Sequence, residues 1–134
     1  MKAFVLKKYG HPLSAVDMPV PEPGPHQVLV RMVASGVNHA DERTRTGEFK
    51  AVFRLDLPKV MGGELSGEVV AVGSQVTGLA VGDQVYGYTG VVVMGTWAEF
   101  VVVDADALAP APRSISLAQA ASLPVVTLTA WQSL

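Results

Sequence analysis

Residues 58–85 read PKVMGGELSGEVVAVGSQVTGLAVGDQV, and this stretch decides the fold. Its frame is Pro58-x3-Gly62-x-Glu64-x2-Gly67-x-Val69-x2-Val72-Gly73-x2-Val76-x5-Gly82-Asp83-x-Val85. Valines alternate with glycines as they do in strand, tight turn, strand. Glycine supplies a positive φ or a close backbone approach where a side chain would clash. An ordinary hairpin uses one or two such glycines, whereas this stretch holds several in a fixed frame with the carboxylate of Glu64. Gly82-Asp83-x-Val85 alone would fit any β-turn, so the information lies in the whole pattern.

Working outward, the chain has 134 residues, one domain's worth, enough to bury about two-thirds of its extended surface. Hydrophobic residues make up 49% and charged residues 16%, the balance of a globular chain with a full core. A formal charge of −2, with no Lys/Arg stripe to neutralise phosphates, argues against nucleic-acid binding. Cysteine is absent, which excludes disulfide scaffolds and Cys-based zinc sites and is compatible with a reducing cytosol. The apolar run Ala3-Phe4-Val5-Leu6 is too short for a signal segment, and no run is long enough to span a bilayer. The expectation is a soluble cytoplasmic protein with no membrane partner.

Residues 2–7 read as a strand. Pro12 to Pro25 carries five of the nine prolines, which suits an edge strand and exposed loop. Residues 28–37 alternate like a half-buried strand. The polar segment 39–46, closed by Gly47, reads as a short helix with a glycine stop. Residues 64–72, 84–88 and 96–103 are further strands, at a spacing that suits a barrel or sandwich better than βαβ units. Ser116-x-x-Gln119 is a capping-box pattern, and Pro124 opens a second helix that runs to Leu134 with no stop signal. That helix reads as cut, so a fragment is expected.

Gly36-Val37-Asn38-His39-Ala40-Asp41 lies where a strand passes into the short helix. On residue type alone, either Asn38 or Asp41 caps that helix. His39 has no second spaced ligand, which is weak ground for a metal. The dinucleotide fingerprint Gly-x-Gly-x-x-Gly is absent, and Gly62-Gly63-x3-Gly67 has the wrong spacing between strands.

The 58–85 frame, Gly36 to Asp41, Gly95-Thr96-Trp97-Ala98-Glu99-Phe100 and Ala120-Ala121-Ser122-Leu123-Pro124 with Leu128-Thr129-Ala130-Trp131 together resemble one family. It is the medium-chain dehydrogenase/reductase family, at its N-terminal catalytic domain and in its zinc-free, quinone-oxidoreductase-like branch. The resemblance covers essentially this whole chain but about the first two-fifths of a family enzyme. It implies a mainly β, GroES-like, partly open β-barrel with a few short helices and a truncated C-terminal linker helix. Residues 1–112 would form the substrate domain, and residues 113–134 a hinge toward a missing Rossmann domain.

The implied function is NADPH- or NADH-dependent reduction of a quinone, enone or related carbonyl, with the cofactor held mainly by the missing domain. Zinc-dependent members have a cysteine where this chain has Asn38 and a histidine where it has Gly63. A catalytic zinc needs three protein ligands, so no metal is expected. By resemblance Asn38 is the catalytic residue and contacts the nicotinamide, with Arg43 and Thr129 also toward the cofactor and Asp41 and Phe49 toward substrate. Arg43 and Phe49 stand where parts of the family have tyrosines, and a phenyl ring has no proton to give. From the residues alone, Thr129 would bond the carbonyl four residues back. Trp97 and Phe100 would face opposite sides of their strand, and Glu99 would bond loop backbone. Partners would be the small-molecule substrate, the chain's own Rossmann domain and, in a homodimer, a second copy. The rival reading is a stand-alone GroES-like binding or assembly module without catalysis.

Overall fold

A computed structural model describes all 134 residues, and its strands fall into two antiparallel sheets. The order along the chain is β1 (Lys2–Leu6), β2 (Ser14–Asp17), β3 (Gln27–Ala34), α1 (His39–Thr46), β4 (Lys59–Val60), β5 (Glu64–Val72), β6 (Gln84–Tyr88), β7 (Phe100–Asp104) and β8 (Leu108–Pro110). Two helices follow, α2 (Leu117–Ala120) and α3 (Pro124–Gln132). The smaller sheet runs β2-β1-β4 and the larger β7-β3-β5-β6-β8. The sheets do not close into one barrel; residues 96–99 link them, with an isolated bridge from Ala98 to Ala3. The form is open and mainly β, with a few short helices. No helix is long and apolar enough to cross a membrane.

Strands β5 and β6 occupy the spans expected of them, and they pair in register from Glu64 opposite Tyr88 to Glu68 opposite Gln84. Val28, Val30, Leu65, Val69, Val85, Val101 and Val103 form the core of the larger sheet. Burying a valine-sized side chain is worth about 1.5–3 kcal/mol, so this valine-rich frame both builds and stabilises the sheet. A second cluster, Leu6, Leu55, Met61 and Met94, fills the space beneath the smaller sheet.

The proline-rich stretch holds β2, an edge strand whose Asp17 pairs with Lys2. Helix α1 spans the expected residues, and Gly47 ends it at φ 89°, a left-handed conformation open to glycine at little cost. The capping box at Ser116 is present: Gln119 N–H donates to Ser116 Oγ at 3.2 Å and Ser116 N–H to Gln119 Oε1 at 3.0 Å.

Two strands differ from expectation. Strand β3 ends at Ala34 rather than at residue 37, because Ser35 turns its hydroxyl onto the Glu64 carbonyl at 2.6 Å. Strand β7 starts at Phe100 rather than at residue 96. Residues 96–99 pass between the sheets: Trp97 N–H bonds the Met61 carbonyl, and the Trp97 carbonyl accepts from Phe4. Trp97 packs against the Leu6–Met61 cluster, while Phe100 is only half-buried in β7. Glu99 is exposed and accepts the Lys2 backbone N–H at 2.7 Å. The i−4 hydroxyl bond of α3 is made by Thr127 to Leu123, not by Thr129.

Candidate active site

Strand β5 sorts its side chains by period two. Leu65 and Val69 enter the core, and the equally buried Glu64 and Ser66 turn to the helical tail. Ser66 Oγ donates to the Leu117 carbonyl of α2 at 2.6 Å. Glu64, 2% exposed, accepts two hydrogen bonds from opposite directions. Its Oε1 takes the Val125 N–H in the first turn of α3 at 2.6 Å, and its Oε2 takes Asn38 Nδ2–H at 2.7 Å. A carboxylate at the N-terminal turn of a helix meets otherwise unpaired N–H groups and the positive end of the helix dipole. Glu64 therefore clasps the start of α3 to Asn38.

The clasp requires glycine at position 36. A Cβ there would collide with the Glu64 carboxylate and lie 3.2 Å from the Ala121 carbonyl. Position 63 is equally constrained. The Tyr88 ring packs over it, and a Cβ on residue 63 would lie 2.7 Å from Tyr88 Cε2. The space that a side chain at position 63 would need is filled by a phenol.

Asn38 stands at the N-cap position of α1 with extended backbone, but its amide nitrogen is committed to Glu64. The cap contact made by side chain to Asn38 itself comes from Asp41, whose Oδ2 accepts the Asn38 N–H at 2.8 Å. Asp41 is buried, and burial pushes its carboxyl above the usual range; the bond from Asn38 opposes this and the nearby Glu64 adds to it. Tyr88 lies opposite Glu64 in the β5–β6 pairing. Burial, then Asp41 and Glu64, hold its phenol above the ordinary tyrosine value. Asn38, Asp41, Thr44, Tyr88, Met94 and Val125 line one small cleft with Gly63 and Gly90.

The expected site residues thus divide into two groups. Asn38 and Asp41 meet in the cleft. Arg43 and Phe49 pair with each other at the far end of α1, with the guanidinium 4.8 Å above the ring. Arg43 also bonds Glu48 at 2.9 Å, and Phe49 tilts against Phe53 with centroids 5.6 Å apart. Thr129 is exposed on α3, one turn beyond Val125. Tyr88, Thr44 and the clasping role of Glu64 are the residues that sequence reasoning missed. A signal existed: Glu64-x-Ser66 places two polar side chains on one face of a strand that is otherwise core.

No group of three or more His, Cys, Asp or Glu side chains is arranged to hold a metal ion. An amide, a phenol and two buried carboxyls can hold and orient a polar small molecule and supply or accept hydrogen bonds.

Two open antiparallel sheets with Asn38, Asp41 and Tyr88 gathered in one cleft define the class of fold to which the chain belongs. Residues 24–113 match the alcohol dehydrogenase GroES-like domain, and the chain belongs to that family, among the medium-chain dehydrogenases/reductases. It is 39% identical to the chloroplastic NADPH-dependent alkenal/one oxidoreductase of Arabidopsis thaliana, over 100% of this chain and 37% of that protein. An alcohol dehydrogenase superfamily protein from Novosphingobium aromaticivorans superposes with a TM-score of 0.92 at 42% identity, over 98% of this chain and 40% of that one. The Escherichia coli quinone oxidoreductase complexed with NADPH superposes at 0.90 with 28% identity, over 100% and 40%. The chain spans about two-fifths of the length of these relatives.

Proposed function

We propose that the protein carrying this chain is a zinc-independent, NAD(P)H-dependent reductase of a quinone, enone or related carbonyl compound, and that this chain is its substrate domain. The observation that carries the reading is the cleft itself, where Asn38 stands beside Gly63 and the Tyr88 ring covers position 63; positions 38 and 63 are the two at which the family resemblance implies metal ligands in zinc-dependent members. The similar proteins point the same way: one is named for NADPH and alkenals or enones, another for quinones.

In this reading residues 1–112 wall the substrate and residues 113–134 are the hinge toward a nucleotide-binding domain. The cofactor supplies the hydride, and the protein supplies position and exclusion of water. Glu64 takes one N–H of the Asn38 amide. The other N–H of the amide stays available for the nicotinamide carboxamide or the substrate oxygen. A donor fixed in this way strengthens as negative charge develops on that oxygen. Asp41 holds the Asn38 backbone, so it acts on the pocket through position. The exposed Thr129 extends the same role along α3 toward the nicotinamide. Arg43 and Phe49, at the far end of α1 from the cleft, would face the cofactor and the substrate respectively only beyond it.

The test is consumption of NADPH and NADH by the full-length protein with a simple quinone and an α,β-unsaturated aldehyde, with and without a strong chelator. Turnover that survives the chelator supports the reading. Turnover abolished by the chelator and restored by zinc overturns its zinc-free part, and no turnover with either substrate class overturns the reductase assignment.

A further inference from the structure

Thr44 is 1% exposed, and its Oγ1 has no hydrogen-bond partner. A buried hydroxyl in that state calls for a partner, commonly an ordered water. Asp41 and Thr44 lie three residues apart on α1, so they share one face of the helix. That face and Tyr88 of β6 line the same cleft, and the cleft as a whole has about 20 Å³ of space. A single water needs about 10–15 Å³ and two to four polar partners.

We propose that this space holds one ordered water, bonded by Thr44 Oγ1, the Asp41 carboxyl and the Tyr88 hydroxyl, and that the file Asp41–water–Tyr88 delivers the proton consumed in reduction. The second half rests on the reductase reading above. Reduction of a carbonyl or activated double bond takes up one hydride and one proton. The hydride is the cofactor's share. The proton passes from Tyr88 Oη to the substrate oxygen as negative charge develops there. The O–H bond of Tyr88 breaks as a new one forms from the water, the water is restored from Asp41, and Asp41 regains its proton from solvent. Burial and the two neighbouring carboxyls disfavour a free phenolate at Tyr88, so its proton leaves as another arrives. Burial also raises Asp41, which suits it to hold a proton between turnovers.

The water is tested in the chain itself. Thr44→Val replaces the hydroxyl with a methyl of similar shape. If Oγ1 is bare, this substitution relieves a buried polar group and raises the melting temperature. With a water bonded there, the water is left a partner short and the melting temperature falls by about 4 °C or more. A crystal structure should show density within hydrogen-bond distance of Thr44 Oγ1. A raised melting temperature or an empty space overturns the site. The relay is tested in the full-length enzyme. Tyr88→Phe should lower kcat about 10²-fold with KM little changed and raise the solvent deuterium isotope effect. Thr44→Val should lower kcat in the same direction, and Thr44→Ser should restore it. Tyr88→Phe with normal kcat overturns the relay. If the unaltered enzyme oxidises no NADPH with quinones or enones, the reductase reading fails, and the melting and density measurements still decide the water.

Discussion

Replacing Glu64 by Gln probes the clasp with almost no change of shape. Glu64 accepts from Asn38 Nδ2 at 2.7 Å and from Val125 N at 2.6 Å, one donor on each oxygen. A glutamine side chain has one carbonyl oxygen and one NH2, so one of the two donors must face another donor. Leaving a buried N–H without an acceptor costs about 1–3 kcal/mol. Removing a negative charge from the first turn of α3 adds about 0.3–1 kcal/mol. The sum is about 1.3–4 kcal/mol, or a fall in melting temperature of roughly 4–15 °C for a domain of this size. Urea unfolding gives the free energy, and hydrogen exchange at the Val125 amide locates it, since that N–H should lose protection while β3 and β5 keep theirs. A Glu64→Gln protein within about 0.5 kcal/mol of the parent, with Val125 still protected, would refute the clasp.

Three further outcomes are expected. Asp41 has a raised pKa in the folded chain, mainly through burial, so the folded state holds its proton more tightly than the unfolded state does. Its contribution is therefore full below about pH 4 and is lost as pH rises through the folded value; Asp41→Asn should flatten that slope in unfolding measured from pH 4 to 7. Gly63→Ala puts a methyl 2.7 Å from Tyr88 Cε2. It should cost about 1–3 kcal/mol and alter the near-ultraviolet tyrosine signal, whereas an unchanged spectrum and stability would mean the ring is not seated there. Elemental analysis after dialysis should find far less than one zinc per chain, and stoichiometric zinc would contradict the reading of positions 38 and 63.

The parts of the fold that were legible rest on local rules. Strands β5 and β6 follow from valine alternation bounded by glycines, and α1 follows from a polar run closed by Gly47. The departures come from long-range contacts. Trp97 leaves its strand to bond Met61 across the sheets, and Ser35 ends β3 early by reaching Glu64. The site shows the same division. Asn38 and Asp41 were identifiable from a strand-to-helix junction and a family likeness. The role of Glu64 depends on partners 26 and 61 residues away, and no periodicity encodes those. Gly36 and Gly63 matter through the side chains they admit, Glu64 and Tyr88, which become visible only when the strands are paired.

The most direct measurement of the central claim is kcat together with the unfolding midpoint for Asn38→Ala in the full-length enzyme. Asn38 loses its amide there, while the backbone N–H that Asp41 accepts is kept. If Asn38 faces the reacting atoms, kcat should fall about 10²-fold or more, as it does when one fixed donor to a developing oxyanion is removed. The unfolding midpoint should also drop, because Oε2 of Glu64 loses its partner. A destabilised protein that turns over at the normal rate would show that Asn38 only holds the fold together, and it would contradict the account.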